Sequence, residues 1–195
     1  MRRPPRGTLP PKAHDMRREF DFLTGLYPVY PLAPKPLAFY DDTRVLGDPF
    51  FIMECRDGLV LHDHFPDCIK PSATLGRNLS MEVVKQLTSL HLVNYHQAGL
   101  ASFGHPDGYL ARQVAGWTKR YHNSVTEGIA VDTAIVRWLE NHVPRVSLPA
   151  TIIHNDFKLN SLLLGDGGCR VIAVLDWEMA TIGDPLEDLA TYITG

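Results

Sequence analysis

Two stretches late in the chain constrain its fold more than any other feature. In TIIHNDFKLNSLLL, residues 151–164, an apolar run breaks at His154-Asn155-Asp156, turns polar and becomes apolar again. In VIAVLDWE a second apolar run ends on Asp176. Short apolar runs bounded by turn signals read as buried strands. SLLL and CRVIAVL are joined by GDGG, a composition that closes an antiparallel hairpin. Such a hairpin returns the chain so that Asp156 and Asp176, twenty positions apart, meet at one pocket edge.

The 195 residues, 45% hydrophobic and 21% charged, suffice for one sizeable core or a core with a small lobe. A formal net charge of −3 gives no bulk case for nucleic-acid binding. The longest apolar runs are too short to span a bilayer, so no membrane partner is expected. Cys55, Cys68 and Cys169 lack metal-type spacing, and an odd count without a secretory signal fits a reducing cytoplasm. MRRPPRGTLPPKAH is basic but has no apolar segment, which argues against a signal peptide. A mitochondrial transit peptide is the alternative, and two early prolines oppose the amphipathic helix it needs.

Met16, Phe20, Leu23 and Leu26 share a helical stripe within residues 12–26, ended by Gly25 and Pro28. A proline-rich loop then leads to a strand near Leu37–Tyr40, and a second strand is expected over Phe50–Glu54. Next comes a helix with Ser80 as N-cap, Val83, Val84, Leu87 and Leu90 at helical spacing, and Gly99 as its stop. GYLARQVAGWTKRYHNSV and VDTAIVRWLENHV read as two more helices. Strands follow over about Thr151–His154, Ser161–Leu164 and Arg170–Asp176, and a last helix starts near Pro185. The expected class is α+β. Residues 1–58 make a partial lobe with a helix and a hinge strand; residues 59–195 make a mainly helical lobe carrying the acidic motifs.

HNDFKLNS reads H-x-D-apolar-K-x-x-S. Phosphoryl transfer asks the protein for placement and positive charge rather than covalent chemistry. In such a loop Asp156 accepts the proton of an attacking hydroxyl, and Lys158 offsets charge on the transferred group. The polar residue five positions on, Ser161, ligates Mg²⁺. A second carboxylate must hold the metal that bridges the phosphates, and Asp176 at its strand end is suited to it. His154 is expected to bond backbone near the second Asp rather than to act as a base. Asp184 and Asp188 suit a helix N-terminus. Glu178 stays open between a second metal carboxylate and a solvated partner of Arg170 or Lys158. His62 and His64 have strand spacing but no third ligand nearby, so zinc is not expected. Trp117, Trp138 and Tyr121 are expected in helix packing, with a pocket wall as the alternative, and His91 and His96 as core or surface residues.

Over His154–Ala190 the sequence resembles the aminoglycoside phosphotransferase/choline kinase superfamily, most of all its subgroup fused to acyl-CoA dehydrogenases. The family pattern is H-G-D-[FY]-R-x-x-N, apolar-D-W-E and G-D-P-x-x-D-L-A; HNDFKLNS, VLDWE and GDPLEDLA stand in those places. The resemblance implies a protein-kinase-like two-lobe fold that moves the γ-phosphate of ATP to a small-molecule hydroxyl. It implies ATP and Mg²⁺ as cofactors and an acyl-CoA dehydrogenase domain or protein as partner. By it, Asp156 corresponds to the catalytic base, Asp176 to the metal-binding Asp, and Asp184 with Asp188 to a pair bracing the loop. Upstream, MRRPPRGTLPPKAHDMRREF resembles the third strand and following helix. Arg2 or Arg3 stands near the phosphate-contacting lysine, Arg3 being assigned to the nucleotide, with Glu19 as ion-pair partner. DPFFIMECRDG resembles the adenine-binding hinge, placing Met53, Glu54, Cys55 and Arg56 at the nucleotide.

The match departs from the family at Ser161, where a metal-binding Asn is usual. Asn160 stands one position early, on the opposite face of an extended chain, and would reach a metal only if the loop distorts. Relative to the family, the first strands with their glycine-rich loop and the last helices fall outside the sequence, so a chain truncated at both ends is expected. These departures support an alternative, a non-catalytic kinase-like domain that binds a nucleotide or a partner, or a decayed gene fragment. A metal phosphoesterase using His154, Asp156, His62 and His64 is opposed by the distance between the clusters along the chain.

Overall fold

The computed structural model describes residues 1–5, 7, 14–62, 65–67, 69–124, 132–144 and 148–194. Its elements run in the order α1 (Met16–Leu26), β1 (Pro36–Tyr40), α2 (Thr43–Leu46), β2 (Phe50–Met53), β3 (Leu59–Val60), α3 (Ala73–His91), α4 (Tyr109–Ser124) and α5 (Thr133–Asn141). Then come β4 (Thr151–Ile153), β5 (Leu162–Gly165), β6 (Arg170–Val174), β7 (Thr181–Gly183) and α6 (Leu186–Thr194). His64, Cys68 and residues 12–13, where the sequence starts its first helix, lie outside the described residues.

The first layer is an antiparallel pair, β1 with β2, extended by one bridge from Arg2. Arg2 N–H donates to Phe51 O (2.8 Å) and Phe51 N–H to Arg2 O (3.0 Å). α1 lies against this layer. Asp15 caps it by accepting the Arg18 N–H (3.0 Å), and Met16, Glu19, Phe22, Leu23 and Leu26 form its buried stripe. Glu19 is the odd member, an acid on an apolar face.

The expected hairpin is present: β5 and β6 pair antiparallel, with Gly167 and Gly168 at positive φ (69° and 86°) in the turn. β3 adds to the outer side of β5. The sequence did not announce β7, which pairs with β4 in the register Ile152↔Ile182. Gly104 permits a close approach here, because a Cβ at this position would lie 2.6 Å from the Ile182 backbone nitrogen.

The fourth expected element, a helix, shifts most. α3 begins at Ala73, capped by Ser72, whose hydroxyl accepts the Leu75 N–H (3.1 Å), and it ends at His91 rather than near Gly99. Leu79, Val83, Leu87 and Leu90 form one buried stripe, so Ser80 lies inside the helix. Burial of each such side chain contributes about 1.5–3 kcal/mol, more than the helix loses by including Ser80 and Gly76.

One apolar cluster joins the two acidic motifs to α1 and β2. It includes Phe22, Leu26, Phe51, Leu90, Ile152, Phe157, Leu162, Val174 and Trp177. Trp117, Trp138 and Tyr121 are not in it, against the packing role expected of them. They stay 56%, 58% and 42% exposed; Trp117 and Tyr121 line a groove between α4 and α5, where Arg120 covers Trp117 at 3.9 Å, and Trp138 stacks on His142.

Candidate active site

After β4 the backbone turns through Asn155 at φ 64°, a left-handed conformation that Asn adopts more readily than most residues. This turn explains the polar interruption, since it aims two successive N–H groups at one buried carboxylate. Asp188 accepts from His154 N–H (3.0 and 2.9 Å), from Asn155 N–H (2.7 Å) and from His91 Nε2 (3.0 Å). Asp184 does something else: it caps α6 by accepting the Leu186 N–H (3.0 Å).

His154 is fully buried, edge-on to Trp177 (4.7 Å) and Phe157 (5.8 Å). Its Nε2 donates to Leu175 O (2.8 Å), and its Nδ1 accepts the Asp156 N–H (3.2 Å). A carbonyl only accepts and an N–H only donates, so the ring is the neutral Nε2–H tautomer. Burial lowers its pKa and supports the same form. His154 therefore ties the residue before Asp176 to the backbone of Asp156, as the sequence reading expected.

The Asp156 carboxylate pairs with Lys158 Nζ (2.8 Å) and lies 3.5 Å from Ser161 Oγ. Ser161 is buried, and its carbonyl accepts the Leu175 N–H (2.8 Å). Asn160 is exposed. Asp176, like Asn155, is left-handed (φ 66°), with its carboxylate 38% exposed. Both Asp156 and Asp176 lie near enough to His154 to act on its charge.

Arg2, not Arg3, reaches this cluster. Exposure alternates over residues 1–5, and the strand period that turns Arg2 inward turns Arg3 to the surface. Arg2 Nε donates to Glu19 (3.2 Å), while Nη2 donates to Asp176 and to Glu178 (3.0 Å). Burial opposes the Arg2 charge, but the three carboxylates, Glu19 first, outweigh it and raise its pKa. Glu178 also accepts from His14, whereas Lys158, one of its expected partners, turns to Asp156. Arg18 donates to the carbonyls of Glu178 (3.1 Å) and Ala180 (2.6 Å). His14 and Arg18 escaped the sequence reading. Their only signal is a spacing of four around the start of α1.

Glu19 is 2% exposed, and burial pushes its pKa up from 4.5 to about 7 despite Arg2. The folded chain thus binds this proton more tightly than the unfolded chain does. The stabilisation is complete below about pH 4.5 and is lost as pH rises through about 7. Glu19→Gln should remove that loss, worth roughly 1–3 kcal/mol. Urea unfolding of both proteins at pH 5 and pH 8 checks it, and an unchanged pH slope in the variant contradicts it. His154, with its lowered pKa, contributes a slope of opposite sign to both proteins and cancels in the comparison.

At the hinge, Glu54 N–H donates to Lys35 O (2.8 Å), and its carboxylate accepts from Arg56 (2.9 Å), which lowers the Glu54 pKa. Arg56 also donates to Ile172 O (2.7 Å), so the segment is tied to β6. Met53 ends β2 and Cys55 is exposed.

Magnesium takes one or two carboxylates together with substrate phosphates and water, not a closed protein cage. The donors here fit that habit. Asp176 and Glu178 already share one cationic group, the Arg2 guanidinium, and among the described residues no cluster of three or more His, Cys, Asp or Glu forms a cage.

An α+β fold with two acidic loops held to one another through a buried histidine is the arrangement expected of a kinase-like phosphotransferase. The chain belongs to the phosphotransferase enzyme family, whose profile matches residues 1–194. Acyl-CoA dehydrogenase family member 11 of Pongo abelii is 36% identical over 192 residues, covering 98% of this chain and 24% of that protein. Family member 10 of Mus musculus is 35% identical over 190 residues, covering 97% of this chain and 18% of that protein. The chain therefore spans about a quarter or less of these relatives. Among solved structures, one from Ralstonia eutropha JMP134, provisionally assigned as an aminoglycoside phosphotransferase, superposes with a TM-score of 0.79 at 32% identity. The match covers 92% of this chain and 55% of that one. Aminoglycoside phosphotransferase APH(4)-Ia, solved with ADP and hygromycin B, shares the fold with a TM-score of 0.63 at 18% identity, covering 89% and 60%. The expected α+β, kinase-like fold is the one these proteins have.

Proposed function

We propose that the chain binds ATP with Mg²⁺ and transfers the γ-phosphate to a hydroxyl of a small molecule. The observation that carries this is the partly exposed Asp156–Lys158 pair (2.8 Å) on a loop bonded directly to the residue before Asp176. Asp156 takes the proton of the acceptor hydroxyl as the oxygen attacks. Lys158, partly exposed and paired with Asp156, would offset charge on the transferred group. Arg2 offers a planar fork of donors to phosphate, with Glu19 orienting it. Asp176 and Glu178, with Ser161, would hold the metal; when bound, it neutralises charge on the bridging phosphate oxygens. Met53, Glu54, Cys55 and Arg56 would form the adenine edge. A fold neighbour solved with ADP and hygromycin B supports a nucleotide and a small-molecule acceptor. The names of the curated relatives support an acyl-CoA dehydrogenase domain or protein as partner.

One observation favours a second reading. Ser161 Oγ points to Asp156, and a lone hydroxyl is a weak metal ligand beside the expected Asn amide. On that reading the domain binds nucleotide without turning it over. ATP and Mg²⁺ together are expected to raise the unfolding temperature by several degrees, as a ligand at about 100 times its Kd stabilises by about 2.7 kcal/mol. Either alone should do less. No shift with both present removes both readings. A shift without phosphate release, restored to turnover by Ser161→Asn, favours the second.

A further inference from the structure

Arg2 Nη2 touches Asp176 and Glu178 at the same time, while Nε holds Glu19. A nitrogen shared by two carboxylates stands where a divalent cation bound by the same two would stand. One guanidinium is shared by three carboxylates, of which Glu178 also accepts from His14, so acidic groups outnumber the arginine that holds them together. The side chain is also built to leave. Its backbone is pinned to Phe51, and the Nε bond to buried Glu19 is a pivot. The fork end faces Asp176, whose carboxylate is 38% exposed.

We infer that Arg2 is a built-in placeholder for the metal. In the nucleotide-free chain, guanidinium and divalent cation compete for Asp176 and Glu178. A triphosphate ends the competition by drawing the guanidinium onto its oxygens. Metal and nucleotide then bind cooperatively through Arg2, and the coupling is the same from either side. An ordinary structural ion pair would weaken the fold when removed but would not create a metal site. The inference rests on Asp176 and Glu178 as the metal carboxylates of the proposed function.

Mn²⁺ binding to the full chain without nucleotide, followed by loss of the free-ion EPR signal, tests it. Arg2→Gln is expected to bind Mn²⁺ at least about tenfold more tightly than the wild type, because the competing charge is gone. Adding Asp176→Asn to that variant should abolish the gain. The dependence of AMP-PNP affinity on Mn²⁺ should shrink in Arg2→Gln. Equal Mn²⁺ affinity in wild type and variant overturns the inference. Should Arg2→Gln fail to fold, Arg2→Lys serves. A cation that covers one carboxylate at a time should raise Mn²⁺ affinity, and wild-type affinity in that variant also overturns the inference. If the wild type responds to ATP with Mg²⁺ and Arg2→Gln gains no Mn²⁺ site, only the placeholder role fails. If Arg2→Gln gains the site and ATP with Mg²⁺ has no effect on the wild type, only the proposed function fails.

Discussion

Asp156→Asn should lower phosphoryl transfer by about 10²–10⁴-fold, the usual contribution of a positioned general base. The variant is nearly isosteric but cannot take a proton at the hydroxyl. The cost to folding should be small. The carboxylate is 27% exposed, and the contact it loses, with Lys158, is a partly exposed pair worth about 0–1 kcal/mol. The bond that places the residue, its N–H to His154 Nδ1, belongs to the backbone and survives. Phosphate or ADP release in the presence of Mg²⁺, with urea unfolding alongside, separates the two effects. Turnover equal to the wild type would remove Asp156 from the chemistry. A loss of turnover matched by a loss of folded protein would mean the loop had been broken rather than disarmed.

The hairpin and both acidic loops were legible because each depends on local signals. Apolar runs of strand length, a glycine-rich turn and an acid at each run's end need no knowledge of the rest of the chain. His154 was legible for a related reason, since a buried ring two residues from Asp156 has few partners other than backbone. What could not be read lies in long-range geometry. Three residues of β7 carry no alternation, and only β4 makes them a strand. Arg2 and Arg3 are chemically equal in the sequence. The choice between them is made by the single bridge to Phe51, which sets which one faces inward. His14 and Arg18 act on residues 178 and 180, across more than 150 positions, and nothing near them in the sequence marks that contact. The late start assigned to α3 came from ranking a good cap, Ser80, above the reach of the apolar stripe. Trp117, Trp138 and Tyr121 show the opposite case: helical spacing favours packing, whereas Trp117 and Tyr121 form the wall of a groove, the alternative, and Trp138 is exposed.

Asp188→Ala should be the most destabilising single change in the site. The carboxylate is fully buried and accepts from two backbone N–H groups of the loop that carries Asp156 and from His91. Removing it leaves three donors without their acceptor, and an unsatisfied buried donor costs about 1–3 kcal/mol. Some of that cost is relieved by water entering the space, so a net loss of roughly 3–5 kcal/mol is expected, against a total stability of about 5–15 kcal/mol for an ordinary domain. Asp184→Ala is the control. It removes a helix cap four residues earlier and should cost only about 1 kcal/mol. Asp188→Asn should fall between the two, because its amide oxygen still accepts while its NH₂ faces donors. Urea unfolding of the three variants orders them. If Asp188→Ala proves no worse than Asp184→Ala, the left-handed turn at Asn155 is held by the packing of neighbouring His154 against Trp177 and Phe157, and not by the carboxylate beneath it. If the order holds, the acid in α6 sets the position of Asp156, the proposed base, without touching it, through the two N–H groups immediately before it in the chain.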